Sequence, residues 1–176
     1  METLEFDKMT AQEIIKKLDL QKHPEGGYFK EVYRSSETIP NSVLGNTFVG
    51  DRNHATSIYF LLTSDNFSAF HKINQDEIWH FYKGSCLHLH IITQQGEHQL
   101  IKIGNDLEGG EIPQFVVKAG DWFAAEVPTK NSYTLVGCTV SPGFDFRDFE
   151  MPEKRKLISL YPEHEEVLAK LGYQKK

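Results

Sequence analysis

The sequence predicts an all-β protein, an antiparallel sandwich or barrel with one short helix at each end. The main observation is that apolar and polar residues alternate with a period of two from Tyr28 to Val140, as they do in half-buried strands. Short runs of this kind, separated by Gly, Asn and Asp, are typical of sandwiches and barrels. A chain of 176 residues is most simply one domain, so we expect a single domain over residues 1–176.

Helical patterns occur near the two ends of the chain. Thr10 and Glu13 have the spacing of a capping box, in which each side chain bonds the backbone of the other residue. A helix is therefore predicted over residues 11–19. Near the other end, Pro162 followed by glutamates fits the first turn of a helix, which predicts a second helix over residues 162–171.

The predicted strands fill the segment between the helices, over about residues 28–149. Residues 94–97 form the clearest hairpin turn. Residues 39–53 are rich in Asn, Gly and Ser and predict a long loop, for which we consider a role as a lid or as a dimer arm. The strands are expected at residues 28–34, 55–62, 67–71, 76–82, 86–93, 99–103, 115–118, 122–126 and 132–140.

Composition excludes several classes of function. A formal net charge of -6 argues against a nucleic-acid-binding protein, because phosphate recognition needs a basic face. A mean hydropathy of -0.45 and the lack of a long apolar run argue against a membrane span. The N-terminus is acidic where a signal peptide would be basic, so we expect a cytoplasmic protein. Cys86 and Cys138 are expected to be reduced, buried thiols.

The strongest site candidates are His71 and Glu77, which lie at the ends of two successive predicted strands. Alternation places Glu77 on the same strand face as Trp79 and Phe81, in an apolar interior. A buried carboxylate needs a metal, a cation, a proton or hydrogen-bond donors. The alternative is that Glu77 lies at an exposed strand start. A histidine beside a carboxylate can hold a metal or move a proton, and the spacing leaves both open.

Two further patterns are candidates for a site. His88 and His90 lie two residues apart on one strand face, a spacing compatible with chelation, although strand histidines on a solvated or dimer-facing side are more common. Residues 23–28, His-Pro-Glu-Gly-Gly-Tyr, are denser in functional groups than a turn requires. The paired glycines Gly26 and Gly27 allow close approach of the backbone to another group.

The spacing of His71, Glu77 and Gly84 resembles the first motif of the cupin superfamily, although Ile73 replaces the second histidine of that motif. The histidine of the second cupin motif is replaced by Phe123. By this resemblance, two of the four metal ligands of the family are missing.

A more specific resemblance is to the fifth cupin group, a domain of unknown function, over about residues 18–149. It implies a double-sheet jelly-roll (cupin) barrel with a pocket inside and a homodimeric assembly. The group is similar in fold to the dTDP-sugar 3,5-epimerases, metal-free cupins that use a histidine base and a tyrosine acid. The segments that carry the resemblance are residues 23–28, 77–84, 118–125 and 137–146.

We therefore predict a cupin that binds a small polar, sugar-like ligand in the barrel and acts as a metal-independent isomerase or epimerase. His71 would abstract a proton next to a carbonyl and Glu77 would orient its imidazole. Tyr59 or Tyr28 would return the proton from the other side. Whether the protein is an enzyme is left open by the sequence.

The predicted ligand-binding residues are polar or aromatic: Arg34, Lys72, Trp79, Gln114, Trp122 and Glu25. An arginine or lysine among them would offset the charge of an enolate. The two tryptophans would stack on a ring face of the ligand.

Two alternatives to this function remain. One is a cupin that binds a metabolite without catalysis. The other is a metal-dependent enzyme that uses His71 and Glu77 with a third ligand such as His88, Gln114 or His80. No cofactor is predicted, and a divalent metal is the alternative. The predicted partners are a small-molecule ligand and a second copy of the chain.

Overall fold

The computed structural model describes residues 9–175. The expectation that there is no signal peptide rests on acidic N-terminal residues that lie outside this range. In chain order the elements are α1 (Ala11–Leu18), β1 (Gln21–Lys22), β2 (Tyr28–Arg34), β3 (Thr38–Ile39), α2 (Asn41–Leu44), β4 (Arg52–Asn53), β5 (Thr56–Thr63), β6 (Phe67–His71), β7 (Asp76–Gly84), β8 (Leu87–Ile92), β9 (His98–Ile103), β10 (Gln114–Val117), β11 (Trp122–Glu126), β12 (Tyr133–Ser141), a 3-10 helix (Phe146–Asp148), α3 (Lys154–Leu160), a second 3-10 helix (Pro162–His164) and α4 (Glu165–Leu171).

Two antiparallel sheets form the body of the protein. One has six strands in the order β1-β2-β5-β12-β7-β10, and the other has four in the order β6-β11-β8-β9. The short strands β3 and β4 pair separately. This is the double-sheet jelly roll with short terminal helices, so the predicted fold class is confirmed.

The main core lies between the two sheets, where side chains from alternate positions of each strand meet. Trp79 from β7 packs edge-on against Phe60 of β5 and Phe123 of β11. All three are at most 2% exposed. The face of β7 that carries Glu77 and Trp79 is therefore the interior face, as the alternation predicted.

Helices cover the outer faces of both sheets. The predicted capping box is present at the start of α1, where the amide of Thr10 donates to Glu13 at 2.8 Å. Ile14 of this helix packs against the outer side of the six-stranded sheet. Leu157 of α3 and Leu168 of α4 are fully buried against the outer side of the four-stranded sheet.

The structure differs from the sequence prediction around α3. Residues 154–156 form the first turn of this helix, which the sequence did not predict and which buries Leu157. The predicted helix over residues 162–171 is divided into a 3-10 turn and α4. Residues 39–53 include three short elements instead of one long loop. Among residues 9–175, no helix combines the length and the apolar character needed to cross a bilayer.

A buried ion pair fixes one rim of the barrel. Arg52 of β4 donates two hydrogen bonds of 2.7 Å to Asp148, in the 3-10 helix that follows β12. Gln75 donates to the same carboxylate at 2.7 Å. Because both charged side chains are at most 2% exposed, the segment around β4 and the segment after β12 are held together at the open end of the barrel.

Candidate functional site

A cavity of about 310 Å³ opens between the two sheets at this end of the barrel. Its walls combine aromatic rings with a small number of ionisable groups, which is the usual composition of a small-molecule site. The lining residues are His23, Glu25, Phe29, Glu31, Arg34, Thr56, Ile58, Phe60, His71, Ile73, Glu77, Cys138, Val140, Phe144, Asp145, Phe146 and Phe149.

The loop between β1 and β2 delivers His23 and Glu25 to the cavity. Gly26 has a φ of 116° and Gly27 a φ of 71°, backbone conformations that glycine adopts at low cost. A Cβ at Gly26 would collide with the carbonyl oxygen of Phe67 on β6. The close backbone approach expected from the paired glycines is therefore present, and it places the loop directly on β6.

Glu25 lies at the centre of the ionisable groups. Its carboxylate accepts a hydrogen bond from Ser68 at 2.8 Å and lies 3.1 Å from His71 Nε2 and 3.3 Å from His23 Nδ1. Burial opposes ionisation, yet the charge of His71 and the hydrogen bonds from His23 and Ser68 outweigh it, so the pKa of Glu25 is lowered. Glu25 is therefore a buried carboxylate.

His71, at the end of β6, has both ring nitrogens engaged. Nδ1 lies 2.7 Å from the carbonyl oxygen of Ala69, which can only accept, so Nδ1 carries a hydrogen. Nε2 faces Glu25 at 3.1 Å, a contact that is attractive only with a proton between the two atoms. Burial lowers the pKa of the His71 imidazole, and the Glu25 carboxylate opposes that shift. His71 therefore has no ring nitrogen free for a ligand.

His23 is the second histidine on Glu25 and has a free edge. In one tautomer its Nδ1 accepts a hydrogen bond from the Glu25 amide at 3.4 Å; in the other, Nδ1 carries the hydrogen and faces the Glu25 carboxylate at 3.3 Å. Within the described part of the chain, nothing bonds its Nε2. The ring is enclosed by aromatic side chains, with Phe29 edge-on at 4.6 Å and Phe146 stacked at 6.0 Å. Its Nε2 is thus the imidazole nitrogen available to a molecule in the cavity.

Glu77 lines the same cavity in the opposite protonation state. Burial raises the pKa of Glu77 to about 8, the nearby Glu25 carboxylate adds to the rise, and a hydrogen bond with Cys138 partly offsets it. Burial, Glu77 and Glu25 also raise the pKa of the Cys138 thiol. At neutral pH the inner part of the cavity therefore has Glu25 as a carboxylate and Glu77 as a carboxylic acid.

The charges at the cavity mouth are paired. Arg34 donates to Glu31 at 2.9 and 2.7 Å and to Asn53 at 2.7 Å. Arg147 donates to Asp145 and lowers the pKa of that carboxyl. Arg34 is the only arginine or lysine among the described lining residues, and it is paired with Glu31, so the cavity offers no uncommitted guanidinium or ammonium to an anion.

The structure places the predicted tyrosine acids outside the cavity. Tyr28 and Tyr59 pack under α1 on the outer side of the six-stranded sheet, with Ile14 and Leu61. The reason is the alternation along β5, in which Phe60 faces the interior and its neighbour faces outward. Neither tyrosine lines the cavity.

Of the predicted ligand-binding residues, Arg34 and Glu25 line the cavity and four others do not. Trp79 is in the core. Trp122 lies on the outer side of β11, with the Lys72 ammonium 4.5 Å above its ring. Gln114 is exposed on β10.

Other predicted groups also have different surroundings from those expected. Glu25, and not Glu77, contacts the His71 imidazole. His80 bonds Thr139 at 3.3 Å, on the face of β7 opposite Glu77. Both cysteines are free, and Cys138 is buried while Cys86 is only half-buried.

Fold and site together define this chain as a cupin. The sequence profile of Cupin_5 (DUF985), a family of the cupin superfamily, matches residues 12–152, and the chain belongs to this family. It is 36% identical over 148 residues to the uncharacterized protein YML079W of Saccharomyces cerevisiae, covering 79% of this chain and 73% of that protein.

Solved structures give the same result. A hypothetical protein from Leishmania major has a TM-score of 0.87 and 37% identity, covering 94% of this chain and all of that one. Protein SO0799 from Shewanella oneidensis has a TM-score of 0.86 and 38% identity, covering 95% of this chain and 99% of that one. Oxalate decarboxylase from Bacillus subtilis, at 14% identity, 90% coverage of this chain, 38% of that chain and a TM-score of 0.54, shares the fold.

The cupin arrangement of four metal ligands does not fit this barrel. The four positions given by the resemblance are His71, Ile73, Glu77 and Phe123. Ile73 and Phe123 are hydrocarbon, both are at most 2% exposed, and the Phe123 ring centroid lies 4.1 Å from that of His71. With two donors missing and both His71 nitrogens engaged, these positions do not form a metal site.

The sequence analysis included His23 only as part of the candidate segment 23–28 and did not predict Cys138 as a site residue. The signal for His23 was present, because a histidine two residues before Glu25 in a glycine-rich turn can share its site. Cys138 gave no signal beyond its place in an apolar strand.

Proposed function

We propose that the cavity binds a compact, uncharged polar molecule with a carbonyl group, such as a small sugar, and transfers a proton within it. The reaction is of the isomerase or epimerase type and uses no metal in the barrel. His23 is the base, Glu25 and His71 position it, and Glu77 is the acid. The homodimer and the cytoplasmic location remain predictions.

The arrangement of His23, Glu25 and His71 is the observation that carries this proposal. A carboxylate that holds one nitrogen of an imidazole leaves the other nitrogen directed at the substrate and stabilises the imidazolium that forms. Glu25 Oε2 lies 3.3 Å from His23 Nδ1 and 3.1 Å from His71 Nε2, while Ser68 donates to the other carboxylate oxygen, Oε1. His71, with both nitrogens engaged, is a positioning residue in this scheme.

Glu77 completes the pair of proton carriers. Its surroundings raise the pKa of Glu77 while those of Glu25 lower the pKa of that carboxyl, and two carboxyl groups moved apart in this way are typical of acid–base sites. In the proposed step His23 Nε2 takes a proton from the carbon next to the carbonyl, and the C–H electron pair moves toward the carbonyl oxygen. Glu77 donates its proton to that oxygen, which gives a neutral enol; the His23 imidazolium then returns a proton to carbon and the Glu77 carboxylate takes a proton back from oxygen, so both groups end in their starting states.

Charge and volume restrict the ligand class. Because Arg34, the only arginine or lysine among the described lining residues, is paired with Glu31, the cavity favours a neutral molecule over a phosphate or a carboxylate. A volume of about 310 Å³ is at the small end of ligand sites, so the ligand has about the size of a monosaccharide. The negative charge that develops on oxygen is met by the proton of Glu77 instead of Arg34 or Lys72.

The test is proton exchange in D₂O followed by ¹H NMR. Neutral aldoses, ketoses and small hydroxyketones are incubated with the untagged chain, and loss of the signal from the hydrogen next to the carbonyl is measured. We expect exchange with at least one of these compounds. It should fall by about a hundredfold or more in His23→Gln and Glu77→Gln, the usual size of an acid–base contribution.

The matched control is His54→Gln, which changes a histidine in the turn before β5, outside the cavity. It should leave exchange unchanged. Exchange that survives both His23→Gln and Glu77→Gln would refute the assigned residues. A compound that binds to the wild type in the cavity without any exchange would favour the non-catalytic alternative.

A further inference from the structure

A second cluster of ionisable side chains lies on the outer face of the four-stranded sheet, away from the cavity. His88 on β8 is directly opposite Glu126 on β11 in the strand register, and His90 follows two residues later on the same face. The intervening Leu89 belongs to the interior core. Lys170 of α4 lies at the edge of this cluster and donates to Glu126 at 2.6 Å.

The side chains of His88, His90 and Glu126 lie close together. One ligand atom from each lies within 4.8 Å of the other two. His90 Nε2 is 3.4 Å from Glu126 Oε1, yet this nitrogen is buried and has no hydrogen-bond partner among the described residues. The ring is therefore not oriented to donate to Glu126, although the two atoms face the same space.

A distance of 3.4 Å between these two atoms is typical of two ligands on one ion. Nitrogen and oxygen ligands lie about 2.0–2.2 Å from zinc, and a tetrahedral angle between them gives a separation of about 3.3–3.6 Å. The ligand atom of His88 lies within 4.8 Å of the other two, so it has to come closer by about 1 Å at most to share one ion with them. Two histidines and one glutamate with a position left for water are a ligand set that zinc uses in proteins.

A fourth residue fixes the orientation of His90. His90 Nδ1 lies 3.2 Å from His98 Nε2, and the two rings are stacked at 5.4 Å with an interplanar angle of 5°. A hydrogen on His90 Nδ1 donated to His98 leaves Nε2 unprotonated. Metal-binding histidines commonly have such an outer partner for their second nitrogen.

We propose that His88, His90 and Glu126 bind a divalent transition-metal ion, for which Zn²⁺ has the best matching geometry, with His98 as the outer partner of His90. The ion links β8 to β11 across the outer face of the barrel wall. Lys170, whose side chain is 60% exposed, moves into solvent when the cation enters. The proposal is independent of the chemistry in the cavity.

The first experiment titrates ZnCl₂ into the untagged, chelator-treated chain by isothermal titration calorimetry, with thermal unfolding in parallel. We expect one equivalent of Zn²⁺ per chain and a rise in Tm with added metal, because an ion that binds only the native state stabilises it. Co²⁺ in the same position should give the visible absorption of a tetrahedral N/O site.

Variants distinguish this site from the cavity. His88→Gln and Glu126→Gln should each abolish stoichiometric binding and the Co²⁺ spectrum while the metal-free protein stays folded. His98→Phe keeps the three ligands and should weaken binding by about tenfold or more. His71→Gln and His54→Gln should bind Zn²⁺ like the wild type.

Three outcomes would overturn the proposal. They are the absence of Zn²⁺ binding in the titration, binding that survives both His88→Gln and Glu126→Gln, or binding that is lost in His71→Gln alone. The last result would place the ion in the barrel and would also contradict the metal-free mechanism. A metal site on the outer face with no proton exchange in the cavity would leave this inference standing and refute only the proposed function.

Discussion

Glu77→Gln is a substitution whose effect on the pH dependence of stability can be worked out from the structure. The change keeps the shape of the side chain and its acceptor oxygen for Cys138, and it removes the proton that ionises. In the wild type, burial and the Glu25 carboxylate raise the pKa of Glu77 from the ordinary 4.5 to about 8. The glutamine has no such group, so the two proteins differ in how their stability depends on pH.

The magnitude follows from the two pKa values of Glu77 in the folded and unfolded chain. Between pH 4.5 and 8 the folded protein binds more protons than the unfolded one, so the free energy of unfolding falls as the pH rises. Each pH unit in this interval corresponds to about 1.4 kcal/mol, which gives a full cost of about 4–5 kcal/mol above pH 8. From pH 6 to pH 8 the wild type should therefore lose about 2–3 kcal/mol relative to Glu77→Gln.

Urea unfolding of both proteins at pH 6, 7, 8 and 9 measures this difference. Subtraction of the two curves removes the contribution of other groups that titrate in the same range. Glu166→Gln, a change at an exposed position on α4, is the control and should follow the wild type. A difference between wild type and Glu77→Gln that stays constant over this range would show that Glu77 is ionised in the folded protein and would refute our assignment of it as the acid.

Two further substitutions test how the rim and the loop are built. Arg52→Met leaves Asp148 buried without its cation and should cost about 3–5 kcal/mol in urea unfolding, with partial recovery when Asp148→Asn is added; a loss below about 1 kcal/mol would contradict a desolvated pair. Gly26→Ala should be more destabilising than Gly45→Ala, since both have positive φ but only the former collides with Phe67. Equal losses of stability in the two glycine variants would show that the loop can move away from β6.

The strand pattern was predictable because each strand has a clear period of two and the breaks contain turn residues. The interior position of Glu77 followed from its alternation with Trp79 alone. The sequence did not predict which side of β5 faces the barrel interior. Residues on both faces of this strand are apolar or aromatic, since one face meets the interior and the other meets α1, so periodicity could not assign Tyr59.

The contact between Glu25 and His71 could not be predicted from the sequence either. The two residues are far apart in the chain, and their meeting depends on the loop between β1 and β2 crossing onto β6. The glycine pair in that loop indicated a close approach but not its partner. Long-range pairing of this kind is set by topology, which local patterns do not encode.

The hydrocarbon side chains of Ile73 and Phe123 affect how the charges in the cavity respond to dissolved salt. Ile73, Phe123 and Phe149 surround His71 with material that polarises weakly, and ions of the medium do not enter such a space. Interactions among Glu25, His71 and Glu77 are therefore screened far less by dissolved salt than those of exposed charges. Added salt will therefore weaken the exposed ion pairs on the surface of this protein much more than it changes the proton balance inside the barrel.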